Sequence, residues 1–112
     1  MKGTIKSKAE IDSLFNTGEK INGRSLLIIA RGNEQRGRLG RVAFVAGKKL
    51  GNSPTRNRAK RILRHAAREA GFPLDGMDIV LVAKKRILDM RFDQVVGDMK
   101  SLVYKIESNP RL

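Results

Sequence analysis

Apolar residues recur along this chain at two different spacings, and the changes of period mark out its elements. Ile11, Leu14 and Phe15 form a short helical stripe, preceded by Ser7 and Glu10 at capping-box spacing and followed by Gly18 as a stop. Ile21 to Ala30, centred on SLLIIA, is an apolar, β-rich run that predicts one strand, and the segment 31–38 with its two glycines predicts a flexible basic loop. Gly40 to Ala46 predicts a second strand, antiparallel to the first because only that loop separates them. Gly47, Gly51, Asn52 and Pro54 break it. A helix beginning near Arg56, with Thr55 or a neighbour as N-cap, then places Ala59, Ile62, Leu63, Ala66, Ala67 and Ala70 on one stripe, and Gly71 and Pro73 end it. Asp78 to Ala83 is almost unbroken apolar sequence, as in a strand buried on both faces at the centre of a sheet. Phe92, Val95, Val96, Met99, Leu102, Val103 and Ile106 complete the pattern as an amphipathic helix that packs on that sheet.

The predicted order is helix, strand, strand, helix, strand, helix, which makes a small α+β two-layer sandwich with one mixed sheet. The strands before and after the second helix are candidates for parallel pairing, and general sterics favour a right-handed crossover between them. With 112 residues and no internal repeat, the chain reads as a single domain over residues 1–112.

Charge changes this picture from a generic small fold to one with a partner. The formal net charge is +13, from 24 Lys and Arg against 11 Asp and Glu, and such self-repulsion is relieved best by a phosphate backbone that releases its counterions. A membrane surface is the weaker competitor. The absence of cysteine excludes disulfides, thiol chemistry and Cys-based zinc sites, and it fits a reducing cytoplasm. The start of the chain lacks the apolar run of a signal peptide and no segment matches a membrane span, so a soluble, cytoplasmic protein is expected.

The charge is concentrated. Lys48 to Arg64, KKLGNSPTRNRAKRILR, holds seven basic residues in 17 positions and no acidic one. Arg56, Lys60, Arg64 and Arg68 recur every four residues, giving a predicted row with roughly 6 Å between members, close to the spacing of successive phosphates. Arg58, Arg61, Asn57 and His65 share the polar arc. A solvated basic face is the plain alternative, but an ordinary solvated helix carries acidic partners four residues away, and here Glu69 is the single carboxylate in the helix. Arginine outnumbers lysine, which favours planar, bidentate contact with phosphate. Gly51 and Asn52 read either as a turn before the helix or as backbone free of bulk, beside Lys48 and Lys49, for close approach to phosphate.

Residues for phosphodiester hydrolysis are missing. A protein nuclease needs paired carboxylates holding metals, or a histidine-centred acid and base. Asp75 and Asp78 flank a turn, Asp89 and Asp93 surround the start of the last helix, and Asp98 is expected on its solvent side. His65, the only histidine, lies on the basic face and reads as a polar residue toward a nucleic acid. No catalytic residue and no protein metal site is therefore assigned.

The stretch RVAFVAGKKLGNSPTRNRAKRILRHAARE closely resembles the central signature of the bacterial ribonuclease P protein component: a strand, a Lys-Lys pair, Gly-Asn, a gap, then Arg-Asn-Arg with basic residues at fixed helical offsets. Weaker similarity extends over LFNTG, the first apolar strand and DIVLVAKK. The resemblance implies a ribosomal protein S5 domain 2-like topology with a left-handed βαβ crossover, against the general rule. It also implies a non-catalytic subunit of a tRNA 5′-maturation endoribonuclease, whose RNA subunit cuts with magnesium held mainly by RNA. Its implied partners are the ribonuclease P RNA and precursor tRNA, with no protein oligomer required. On these positions the family's RNA contacts fall on Lys48, Lys49, Gly51, Asn52, Arg56, Asn57, Arg58, Lys60, Arg61 and Arg64, with Arg68 continuing the face. The family's cleft for the single-stranded 5′ leader falls on Phe15, on Ile11 and Ile29 where aromatics are common, on Phe44, and on Lys84 and Lys85. Isoleucine in place of two aromatics implies weaker or less selective leader contact. A general or ribosomal RNA-binding domain with no part in cleavage is the alternative, separated by whether the chain enhances leader removal.

Overall fold

Ser7 opens the first helix as its spacing predicts: its Oγ accepts a hydrogen bond from the Glu10 amide, and α1 runs over Lys8–Thr17. The computed structural model describes residues 4–33 and 39–112, so residues 34–38 of the predicted basic loop lie outside the described residues. After α1 come β1 (Glu19–Asn22), β2 (Leu26–Gly32), β3 (Arg41–Val45), α2 (Ser53–Ala70), β4 (Met77–Ala83) and α3 (Phe92–Glu107), with 3-10 turns at Lys48–Leu50 and Lys85–Asp89. Gly18 ends α1 where the chain passes too close for any side chain, since a Cβ there would lie 2.5 Å from Ile29 Cγ2.

The run Ile21 to Ala30 is not one strand. It folds back at residues 23–25 into the antiparallel pair β1 and β2, with Ile21 opposite Ile28. The turn is pinned from outside: Asp98 of α3 accepts hydrogen bonds from the Arg24 amide, the Ser25 amide and Ser25 Oγ. Asp98 is thus an anchor for the β1–β2 turn and not a solvent-side residue.

The four strands lie in the order β1-β2-β4-β3. β2 and β3 run in opposite directions, as expected, but they are not neighbours, because β4 inserts between them, antiparallel to β2 and parallel to β3. β4 is therefore central, and Ile79, Val80 and Leu81 are fully buried. The parallel β3–β4 pair is joined through α2, as the sequence predicts.

Period-2 alternation then divides the core. Leu26, Ile28, Ala30, Val42, Ile79, Leu81 and Ala83 face α2 and α3, meeting Ala59, Leu63, Ala66, Val95, Met99, Leu102 and Ile106 in the main cluster. Ile29, Ala43 and Val80 point to the other face, where Leu14 of α1 and Ile5 cover them. One face carries two helices and the other carries one short helix, so part of the second face stays open.

The basic helix starts three residues earlier than predicted. Asn52 is its N-cap, accepting hydrogen bonds from the Thr55 amide at 3.1 Å and Thr55 Oγ1 at 2.7 Å, and Pro54 sits in the first turn, where its missing N–H leaves no hydrogen bond unmade. The strand β3 ends at Val45, before the breakers that start at Gly47, as expected, and Pro54 also opens the helix that follows. Gly71 closes the helix at φ 92°, a left-handed conformation that glycine adopts without strain. Replacing Asn52 by alanine removes the cap and is expected to cost about 1 kcal/mol, read as a lower urea midpoint with an unchanged slope.

Candidate nucleic-acid interface

Burial of Ala59, Leu63, Ala66 and Ala67 fixes how α2 turns its cations outward. Four residues advance a helix by slightly more than one turn, so the predicted row Arg56–Lys60–Arg64–Arg68 winds around the axis. Its first two members are half-buried and its last two are exposed. The outermost ridge is instead Asn57, Arg58, Arg61, Arg64, His65 and Arg68, all exposed. Arg56 is held against the helix start, with one guanidinium nitrogen donating to Ser53 Oγ at 3.1 Å and Nε buried without a partner.

No acid neutralises this surface. Among the described residues the ion pairs are Arg41 with Glu10 and Asp78, Arg91 with Asp93, and Arg111 with Glu19. Every cation from Lys48 to Arg68 lies outside that set. Lys48 and Lys49 are exposed on the 3-10 turn before the helix. Gly51 has φ 137° and lets the chain enter the Asn52 cap, to which the Asn52 Oδ1 is committed. Gly51 and Asn52 are thus first of all the structural start of α2.

The predicted leader cleft needs one correction. Ile29 is 0 % exposed beneath α1, so it contacts no ligand. Phe44 lies on the opposite sheet face, packed toward the main core, with the Arg64 guanidinium 5.6 Å above its ring centroid. Its side chain alternates away from Ala43 and Val45, but β3 is an edge strand, and there Phe44 lines a cavity of about 540 Å³ together with Ile5, Ile11, Ala43, Arg64 and Arg68, so it stays in reach of the α1 side. Ile11 and Phe15 do border the α1-side cluster and are half-buried. Lys84 donates from Nζ to the Gly23 carbonyl at 2.7 Å, while Lys85 is exposed.

Sequence reasoning missed the floor of this groove. Leu27, Val82 and Val45 stand side by side across β2, β4 and β3, all half-buried on the face that α1 only partly covers. The neighbouring row Ile29, Val80 and Ala43 is sealed. Once strand order is known, alternation from Ile29 to Leu27 and from Ala43 to Val45 identifies these positions, but strand order is not legible in the chain. Beyond the open row the strands lead to Lys48 and Lys49 on one side and Lys84 and Lys85 on another. Lys20 Nζ donates to the Phe15 carbonyl at 3.1 Å, adding a cation at the α1 wall. An apolar floor with cationic ends suits an unpaired strand whose bases rest on carbon and whose phosphates meet ammonium groups.

A family model described as Ribonuclease P matches residues 2–107. The ribonuclease P protein component of Gluconacetobacter diazotrophicus is 33% identical over 103 residues, covering 90% of this chain and 88% of that protein. That of Symbiobacterium thermophilum is 36% identical over 99 residues, covering 88% of this chain and 85% of its own. Among solved structures, the Staphylococcus aureus RNase P protein superposes with a TM-score of 0.79 at 21% identity, over 96% of this chain and 97% of that one. The Thermotoga maritima RNase P protein gives 0.77 at 21% identity, over 91% and 96%. At those identities the structures establish the shared α+β fold, and the family model and sequence relatives establish kinship.

Proposed function

This chain belongs to the ribonuclease P protein component family, subunits of a tRNA-processing ribonuclease, and from that premise we propose that it clamps two RNAs together while the RNA subunit performs the cleavage. The α2 ridge with Lys48 and Lys49 grips the ribonuclease P RNA. The groove of Phe15, Ile11, Leu27, Val45 and Val82, with Lys20, Lys84 and Lys85 around it, holds the 5′ leader of precursor tRNA. The observation that carries this reading is the cationic surface from Lys48 to Arg68, which has no acidic partner among the described residues although the same fold pairs Arg41, Arg91 and Arg111. Bringing two polyanions together is opposed by their mutual repulsion, and a cationic wedge between them lowers that cost and fixes their orientation.

The chain's own acids do not gather for hydrolysis. Asp78 is engaged with Arg41, and Asp98 with the β1–β2 turn. Among the described residues no group of three or more His, Asp and Glu side chains is placed to hold a metal ion. In this reading magnesium is held by RNA oxygens and no step of the chemistry falls to this chain.

Substituting Phe15 tests the groove. Phe15→Leu keeps its apolar packing and removes the ring, so the preference for leader-bearing over mature tRNA is expected to fall by roughly tenfold, within the range of about 1 to 3 kcal/mol for stacking one base. Affinity for the ribonuclease P RNA alone stays unchanged. Competition binding with the two tRNAs reads both quantities, and an unchanged preference removes the leader from this groove.

A further inference from the structure

A separate polar notch of about 320 Å³ opens between the β1–β2 turn, α3 and the turn after β4, lined by Arg24, Arg86, Gln94, Gly97, Asp98 and Ser101 with Met90. None of these residues is among those named for the α2 ridge or the leader groove, although the notch borders the groove's cationic end, where Arg86 follows Lys85 and Lys84 donates to the carbonyl of Gly23 beside Arg24. Arg24 and Arg86 are exposed and have no acidic partner among the described residues. Asp98 also borders the notch, but its two carboxylate oxygens accept from the Arg24 amide, the Ser25 amide and Ser25 Oγ, and the two guanidinium groups outnumber it.

The second observation is Gly97. It sits in the middle of α3, where glycine weakens a helix relative to alanine, and nothing stands within 4 Å of the position a Cβ would occupy. Neither packing nor backbone conformation calls for glycine there: the fold would accept alanine and gain from it. A bare stretch of helix between two unpaired arginines is instead what close approach of a bulky anion requires.

We propose that this notch is a second phosphate-binding site, which takes a phosphate of an RNA backbone at a place apart from α2. Arg24 and Arg86 supply the forked donors, Gln94 and Ser101 add neutral ones, and Gly97 leaves room for the ribose. The proposal rests on the chain's being an RNA-binding subunit and adds a third point of attachment, on the flank of α3.

Three forms of the full chain test it: wild type, Gly97→Ala, and Arg24→Ala with Arg86→Ala. Titration of the wild type with inorganic pyrophosphate is expected to move the amide resonances of Gly97 and Ser101, and the double arginine variant abolishes that movement. The same variant binds ribonuclease P RNA roughly tenfold more weakly, and its logarithmic salt slope falls by about one. Gly97→Ala is expected to melt about 4 °C higher and yet to bind the RNA more weakly, a combination that a purely structural glycine cannot give. Resonances that stay still overturn the site. Resonances that move while all three forms bind RNA equally mean a small phosphate compound only, which overturns the RNA assignment. Arg58→Ala serves as reference: if it weakens RNA binding and the notch variants do not, this inference fails and the clamp stands, whereas no effect from either fails the clamp itself.

Discussion

Replacing Arg58 and Arg61 by glutamate is expected to lower affinity for ribonuclease P RNA by about a thousandfold without unfolding the chain. Both side chains are exposed on the outer ridge of α2 and have no partner to lose. Each lost charged hydrogen-bonded contact removes about 1.5 to 3 kcal/mol, and two reversed charges add repulsion from phosphate to that loss. Two glutamates relieve the crowding of like charge on the ridge, so the melting temperature holds or rises. The wild-type interaction carries its own signature. With about six phosphate contacts, affinity falls by roughly a thousandfold between 50 and 200 mM salt, and the variant's slope is shallower by about two. Affinity measured across that salt range checks both statements, and salt-insensitive wild-type binding contradicts the phosphate-centred picture.

How far the sequence led differs between the two surfaces for a physical reason. The α2 ridge is a local object: helical period, the small residues Ala59, Ala66 and Ala67, and acids reduced to Glu69 alone are all contained in one segment, so its identity is readable. What local reading misjudged was its winding, which tucks Arg56 against Ser53 and leaves Arg61 outermost. The groove is a long-range object. Its floor joins Leu27, Val82 and Val45 across three strands, and only the insertion of β4 between β2 and β3 creates it. For the same reason the chain alone does not show that α1 seals Ile29. The division of one apolar run into β1 and β2 depended on Asp98, 73 residues away from Ser25, which no period along the chain can reveal.

The second large effect concerns stability. Arg41 in β3 bridges two layers, donating to both carboxylate oxygens of Asp78 at 3.1 and 2.9 Å and to Glu10 of α1. The Asp78 side chain is only 7 % exposed, against 19 % for Arg41 and 42 % for Glu10. Hydrogen bonds donated to Asp78 first, then to Glu10, hold the guanidinium pKa above its ordinary value. Because the folded-state value is the raised one, the contribution is fully present below the unfolded value and lost only above it, so it is constant across the working pH range from the arginine side. Arg41→Met strands the Asp78 carboxylate in the sheet and is expected to cost about 3 kcal/mol, the lower end for breaking a buried pair because Arg41 retains some solvent. Adding Asp78→Leu removes the orphaned charge and restores most of the loss, while Glu10 returns to water. Urea denaturation of the single and double variants measures this, and a double variant no more stable than the single would show that the pair was not the cause.

The central claim is that the chain holds and orients RNA while its RNA companion cuts. Cleavage of precursor tRNA, followed with purified chain and cognate ribonuclease P RNA together and apart, tests it most directly. The account predicts magnesium-dependent leader removal by the RNA, a higher kcat/KM for leader-bearing substrate when the chain is added, and none from the chain alone. Cleavage by the chain after rigorous removal of RNA, or an RNA rate indifferent to its presence, would contradict it.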